Sequence, residues 1–290
     1  MASIKKIIKT IDLFFVSGGV FSYLLGAVLA QRAGKPLSIS VLLLGLSIFL
    51  FLYLLERCLT YLTSSRINVF STAQSSSRLQ SPELTGALLF IAFALMFCVY
   101  GLVRTGALNG KSWIWLLLLT LGILIPSTSI RLWVVPYRWL TDAFVAAPVM
   151  LFSGAVLQMI PSERMLFFLS LPLFFLFLAS SSALMFESFG AESDKVRPTL
   201  LTVIGWEKAM NLHHVLLIAT YAALGVYFFA SGAWPIAWPA AFIAIISLFE
   251  VFQLERIARG MKPLWGLLRA TAVLQYLGIL YILLFAFLAR

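Results

Sequence analysis

Acidic side chains are rare in this chain, and three of them lie in one short connection between long apolar runs. Glu187, Glu192 and Asp194 follow the sixth apolar run and are followed at once by Lys195 and Arg197. If the preceding helix continues through this stretch, residues seven apart such as Glu187 and Asp194 share a side and could together hold a cation. Acidic clusters at helix ends are also often simply solvated, so both interpretations stay open.

A second connection carries Tyr137, Arg138 and Asp142 at the start of the fifth apolar run. A carboxylate inside an apolar helix end is costly unless it is paired. The nearest cations in sequence are Arg131 and Arg138, and we expect one of them to pair with Asp142.

The composition determines the class of protein that must position these residues. Of 290 residues, 62% are apolar and 11% are charged, and the mean hydropathy is +1.01. A water-soluble domain of this size could not bury so much apolar surface, whereas uncharged runs of roughly 18 or more residues can cross a bilayer as helices. The sequence therefore predicts a polytopic membrane protein.

The apolar runs are continuous and do not alternate, which favours helices over the strands of a membrane barrel. We predict one all-α domain over residues 1–290 with nine transmembrane helices. Their predicted positions are 14–30, 41–55, 84–103, 113–130, 140–160, 165–186, 212–230, 236–252 and 264–288.

Orientation is predicted from the Lys and Arg residues between the spans. With nine spans, fourteen of them lie on the side of the N-terminus and six on the other, with Arg269 inside the last span. The positive-inside rule then places the N-terminus in the cytoplasm. The net charge of +10 is expected to face anionic lipids of the plasma membrane, and nucleic acid is not an expected partner.

The sequence also predicts the structure of two segments outside the spans. Residues 4–13 are expected to form a short interfacial helix whose lysines face lipid headgroups. Residues 63–83 are rich in serine and are predicted to be a cytoplasmic loop, either solvated or ordered over a bound headgroup.

Several kinds of chemistry have little support in the sequence. The only histidines, His213 and His214, are adjacent and point about 100° apart on a helix, so we expect them at the membrane interface. Cys58 and Cys98 have no paired spacing and are expected to be buried thiols. The chain has no nucleophile elbow, phosphate-binding glycine loop or zinc spacing.

Two of the connections resemble those of the UbiA superfamily of intramembrane prenyltransferases, especially the branch that prenylates dihydroxynaphthoate for menaquinone. The second connection has the Tyr-Arg pair, the leucine and the acid of that family, and the third has its Thr-Leu pair and glycine. The matching residues are Tyr137, Arg138, Leu140, Asp142, Pro148, Gly154, Gln158, Thr199, Leu200 and Gly205.

This resemblance implies a nine-helix bundle that holds an isoprenoid diphosphate through Mg²⁺. It implies metal or catalytic roles for Glu187, Glu192 and Asp194, and substrate binding by Tyr137, Arg138, Asp142, Lys195 and Arg197. The first acidic motif of the family is missing, because Thr60 and Thr63 stand where two of its acids belong. Glu56 is then the only local carboxylate, and Arg57 beside it would oppose a second cation.

Two functions from different classes follow. In the first, a catalytically silent UbiA-like protein binds an isoprenoid, quinone or pigment lipid, or serves as a subunit of a membrane complex, without a cofactor. In the second, an active aromatic prenyltransferase uses Mg²⁺ or nearby cations to ionise an allylic diphosphate. A transporter is a third possibility with few charges at midplane to support it.

The last span contains one further charge. Arg269 lies near the start of the ninth apolar run. We expect it either to snorkel to the interface or to pair with Glu250, with a substrate contact as the alternative.

Overall fold

A computed structural model describes residues 12–69, 82–127, 137–158, 164–191 and 200–289, and the regular structure in these ranges is helical throughout. The helices are α1 (Leu13–Arg32), α2 (Ile39–Val69), α3 (Pro82–Arg104), α4 (Gly110–Leu124), α5 (Arg138–Leu157), α6 (Arg164–Ala191), α7 (Leu200–Ile204), α8 (Trp206–Ser231), α9 (Trp234–Ala258) and α10 (Trp265–Leu288).

Nine segments among the described residues are long and apolar enough to cross a membrane. They correspond to all of these helices except the five-residue α7, and the segment that contains α4 continues through a 3-10 turn to Ser127. The all-α class and the nine predicted spans are therefore confirmed. Which face is cytoplasmic, and in which membrane the protein resides, stay predictions. Residues 4–11 of the proposed interfacial helix lie outside the described residues, and its last two residues, Asp12 and Leu13, are the N-cap and the first residue of α1.

The largest difference from the predicted boundaries concerns α2. The sequence predicts an end near residue 55 and a loop from residue 63, whereas the helix continues to Val69. No glycine or proline occurs between Leu46 and Gln80. Serine, threonine and arginine are all compatible with a helical backbone, so nothing in this segment forces the helix to end where its hydrophobicity falls. The remainder of the predicted loop, residues 70–81, lies outside the described residues.

The centre of the bundle is built by α1, α5, α6 and α10, with α1 lying against both α5 and α10. The crossing of α1 and α5 depends on two glycines. A Cβ atom placed on Gly26 would overlap the backbone oxygen of Leu151, and one placed on Gly154 would overlap that of Tyr23. Small residues permit such close backbone approach, which is how helices associate tightly inside lipid.

The outer surface of the bundle is apolar. On α3 the side chains of Phe90, Phe93 and Phe97 are 67%, 67% and 66% exposed. Their spacing of three and four residues places them on one side of the helix. Such a surface is unfavourable in water and suits contact with lipid, in agreement with the nine candidate spans.

The helices alternate in direction, so the bundle has two faces. We call the face at which α1 begins the N-terminal face, where the start of α5 meets α2 and the start of α10 meets the end of α6. On the opposite face, the Gln158 amide that ends α5 accepts from the Ser38 N–H at 3.0 Å and donates to the Ser38 carbonyl at 3.2 Å. This pair of hydrogen bonds joins the end of α5 to the chain just before α2.

Helix α5 is interrupted by a wider turn. Residues Val145–Val149 form a π-helical segment that contains Pro148. Proline has no N–H to donate and its ring crowds the preceding turn, so the helix widens there. The widened turn faces the groove described below, which Pro148 helps to line.

Candidate functional site: an ion-pair cluster and an aromatic groove

An ion-pair cluster on the N-terminal face is centred on Glu56, whose side chain is almost fully buried. Arg138 Nη2 donates to Glu56 Oε1 at 3.2 Å, and the Thr60 hydroxyl donates to the same oxygen at 2.9 Å. Arg57 Nε lies 3.2 Å from Glu56 Oε2 as a charge contact whose angle does not make a hydrogen bond. Both carboxylate oxygens of Glu56 thus face a guanidinium group.

The cluster extends to the start of α1 through Tyr53. The Tyr53 hydroxyl accepts from the Asp12 N–H at 2.7 Å, and the Arg57 guanidinium lies 4.7 Å from the centre of the Tyr53 ring. Asp12 Oδ1 accepts from the Phe14 and Phe15 N–H groups at 3.0 and 3.1 Å, which is a typical N-cap. The ion-pair cluster therefore links the starts of α1 and α5 to the middle part of α2.

The predicted pairing of Asp142 is confirmed. Arg138 Nε lies 3.4 Å from Asp142 Oδ2, one helical turn along α5, so a single guanidinium joins Asp142 to Glu56. Arg131, the other predicted partner, lies outside the described residues. Tyr137 is 54% exposed at the start of α5 and makes no capping hydrogen bond through its side chain. The predicted substrate-binding roles of these residues stay predictions.

The geometry around Glu56 disfavours a divalent cation. A Mg²⁺ ion bound to Glu56 would lie beside two guanidinium groups, and each like-charge contact at about 4 Å is unfavourable by several kcal/mol at intermediate dielectric. Within the described ranges no group of three or more His, Cys, Asp or Glu side chains is placed to hold a metal ion. Thr60 directs its hydroxyl hydrogen at Glu56. The side chain of Thr63 lies outside the described residues.

Glu187, predicted as a metal ligand or catalytic acid, forms a two-pronged ion pair with Arg269. Arg269 Nη2 donates to Glu187 Oε1 at 2.8 Å and to Oε2 at 2.7 Å, and Nε donates to Oε2 at 3.0 Å. The expected pairing of Arg269 with Glu250 is therefore wrong. Arg269 lies near the polar end of α10, whereas Glu250 lies eight residues, about 12 Å, inside α9. Glu192, Asp194, Lys195 and Arg197 lie outside the described residues.

We expect the Glu187 and Arg269 pair to contribute little to stability. The two side chains are 28% and 62% exposed, and exposed ion pairs contribute about 0–1 kcal/mol. Replacing Arg269 with glutamine should lower the melting temperature in detergent only slightly at low salt, with the difference disappearing at high salt. A large, salt-independent loss would contradict this description and would point to a buried role for the pair.

An aromatic groove of about 850 Å³ lies between α4, α5 and α6. Six aromatic side chains line it: Trp115, Phe144, Phe152, Phe167, Phe168 and Phe174. Trp115 and Phe152 stack with ring centres 4.3 Å apart and planes only 4° from parallel. Arg164 is the one charged residue among those that line it, at the opposite face. The groove follows α6 from Arg164 to Phe174, a distance of about 15 Å.

The structure places His213 differently from the expectation based on the sequence. His213 was expected at the membrane interface, but its side chain is fully buried and its Nε2 lies 3.8 Å from Glu250 Oε1, also fully buried. The expectation was wrong because α8 begins at Trp206, seven residues before His213, so the histidine lies inside the span. The signal was present in the sequence: an ionisable residue within an apolar run, here Glu250, indicates a functional site by default.

Comparison of the sequence with models of known protein families and with curated proteins gave no match.

Proposed function

We propose that this protein is a UbiA-like membrane bundle that binds an isoprenoid lipid with a quinone-type head and does not catalyse Mg²⁺-dependent prenyl transfer. The observation that carries the proposal is the aromatic groove. Its volume of about 850 Å³ falls within the range of small-molecule sites, and apolar and aromatic side chains dominate its lining.

The chemistry of the groove favours a long unsaturated ligand. The groove is open towards the lipid side of the bundle and contains the rings of three helices, which offer flat surfaces to isoprene units or to a quinone ring. Arg164, at its end on the opposite face, supplies N–H donors to which a quinone carbonyl oxygen can bind. The groove can therefore contact both the isoprenoid tail and the quinone head of such a ligand.

The ion-pair cluster supports the proposed lack of Mg²⁺-dependent catalysis. Glu56 is the carboxylate that remains where the resemblance places the first metal site, and it faces Arg138 and Arg57. Those contacts favour an ion-paired structural role over metal binding. A lipid-binding role requires no metal, so the groove and the cluster are consistent with the same proposal.

Binding can be tested with a radiolabelled menaquinone analogue that has a short isoprenoid tail, by equilibrium dialysis against the protein in nanodiscs. Leu171 lines the groove and is 40% exposed, so Leu171→Trp should obstruct it and weaken binding about 10-fold, or about 1.4 kcal/mol. Leu121 is 46% exposed on α4 and does not line the groove, so Leu121→Trp is the matched control and should bind normally. Equal affinity for both variants would contradict the proposal.

The catalytic alternative has its own test. The purified protein is incubated with geranylgeranyl diphosphate, dihydroxynaphthoate and Mg²⁺, and the extract is analysed by mass spectrometry for a prenylated product. We expect none. Product that forms with the wild-type protein and is lost in the Glu192→Ala and Asp194→Ala variants would instead establish an active prenyltransferase that uses the acidic residues of the third connection.

A further inference from the structure

A buried pair of ionisable residues lies in the other half of the bundle, away from the aromatic groove and the ion-pair cluster. His213 on α8 and Glu250 on α9 have no solvent-exposed side-chain surface, and His213 Nε2 lies 3.8 Å from Glu250 Oε1. His213 is seven residues from the start of α8 and Glu250 eight residues from the end of α9, which places both about 10–12 Å below the N-terminal face.

The hydrogen bonds of His213 determine where one of its protons is. Nδ1 lies 3.0 Å from the carbonyl oxygen of Ala179 on α6. A carbonyl oxygen can only accept, so Nδ1 must carry the hydrogen. The Ser182 hydroxyl donates to the same carbonyl at 2.7 Å and lies 3.2 Å from Nδ1. In the neutral ring Nε2 therefore has a free lone pair, and the Glu250 carboxyl group is the polar group beside it.

Other charged groups on the surrounding helices do not neutralise Glu250. Among the described residues, no lysine or arginine forms an ion pair with it. Arg269 on α10 is engaged with Glu187 of α6, and Arg259 is engaged with Glu255 near the end of α9. The remaining titratable or charged side chains on the helices packed against the pair are Arg164, Glu207, Lys208, His214, Tyr221, Tyr227, Arg256, Tyr276 and Tyr281.

Neighbouring polar groups hold the helices around the pair in a fixed arrangement. The Tyr221 hydroxyl and the Ser247 hydroxyl are 2.6 Å apart, and Ser247 donates to Gln275 Oε1 at 2.8 Å. Gln275 Nε2 in turn donates to the Ser180 hydroxyl at 2.9 Å. This chain joins α8, α9, α10 and α6, and Ser247 lies one turn from Glu250. Such a network restricts how far Glu250 can move away from His213.

The two oxygens of Glu250 and Nε2 of His213 have no hydrogen-bond partner, although each is fully enclosed. An isolated carboxylate in that position costs several kcal/mol, because its side chain is fully enclosed and no lysine or arginine among the described residues pairs with it. One additional proton removes this cost. On Glu250 it makes a neutral acid that can donate to Nε2, and on Nε2 it makes an imidazolium beside the carboxylate. In both states the pair has no net charge.

We propose that Glu250 and His213 form an intramembrane proton-binding site that holds one proton in common, in addition to the hydrogen on Nδ1. The proton is taken up from water at the N-terminal face and leaves by the same route, and no other bond is made or broken. Gln253, one turn from Glu250 on the same side of α9, has a buried amide without a partner and lies on the N-terminal-face side of the pair.

The site can be tested on the wild-type protein because the chain has only two histidines. Protein labelled with ¹⁵N-histidine is reconstituted at neutral pH, the ring nitrogens are observed by solid-state NMR, and His214→Gln identifies the signals of His213. Infrared spectra of the same sample detect the carbonyl stretch of a protonated carboxyl group, which Glu250→Gln should remove if it belongs to Glu250.

Two results support the proposal: a neutral His213 ring protonated at Nδ1 with a protonated Glu250, or an imidazolium at His213 with an ionised Glu250. Two results overturn it: a neutral ring with an ionised Glu250, which has no shared proton, or an imidazolium with a protonated Glu250, which has two. If Glu250→Gln does not fold, ¹³C labelling of the glutamate carboxyl groups in the wild-type protein distinguishes the same four states. The outcome does not depend on whether the groove binds a lipid.

Discussion

Replacing Arg138 with leucine is expected to destabilise the bundle by about 3 kcal/mol, because the change leaves the buried Glu56 carboxylate and the partly buried Asp142 carboxylate without the cation they share. Arg138 contacts Glu56 at 3.2 Å and Asp142 at 3.4 Å, and the Glu56 side chain is only 2% exposed. The expected result is a clearly lower melting temperature in detergent, measured by the thermal loss of monodisperse protein in size-exclusion chromatography.

A double variant separates the cost of leaving the Glu56 carboxylate without Arg138 from the other effects of removing Arg138. Adding Glu56→Gln to Arg138→Leu removes one buried charge and should recover part of the lost stability. The matched control is Arg259→Leu, which breaks an i,i+4 pair with Glu255 whose side chains are 73% and 41% exposed. We expect that control to change stability by less than about 1 kcal/mol. If both arginine variants melt alike, the ion-pair cluster has no special role in holding α2 against α5.

The second large effect is expected at the crossing of α1 and α5. Gly154→Val adds a branched side chain where even a Cβ atom would overlap the backbone of Tyr23. The helices must separate, and the expected loss is about 3 kcal/mol or more, at the upper end for overpacked interiors. We expect a strongly reduced yield of folded protein, measured by fluorescence-detected size-exclusion chromatography of a tagged protein.

Gly225 provides the matched control for this substitution. It lies within α8, and a Cβ atom placed there meets no heavy atom within 4 Å. Because glycine is a poor helix former, Gly225→Val should be neutral or slightly stabilising. Similar behaviour of the two variants would show that the close approach of α1 and α5 does not limit folding.

The glycine crossing and the ion-pair cluster differ in their relation to the aromatic groove. The glycine crossing holds α1 against α5, whose other side lines the aromatic groove through Phe144, Pro148 and Phe152. Disturbing this crossing should therefore also alter ligand binding in any protein that still folds. The ion-pair cluster lies at the N-terminal face, away from the Arg164 end of the groove, so a mild variant there should affect stability more than binding.

Some features of this protein follow from its sequence alone. The nine spans are marked by runs of apolar residues long enough to cross a bilayer, and this depends only on local composition. The contact of Arg138 with Asp142 also follows from local geometry, because residues four apart lie on the same side of a helix. In both cases the interacting groups are close along the chain.

The contacts between distant residues were decided by the tertiary structure. Arg138 meets Glu56, Arg269 meets Glu187, and His213 meets Glu250 only because the helices have particular rotations about their axes. In a soluble protein a polar side of each helix would indicate that rotation, but here the outward side is nearly as apolar as the core because it faces lipid. The sequence therefore determined which segments cross the membrane, whereas packing between them determined which charges are paired and which two share a buried site.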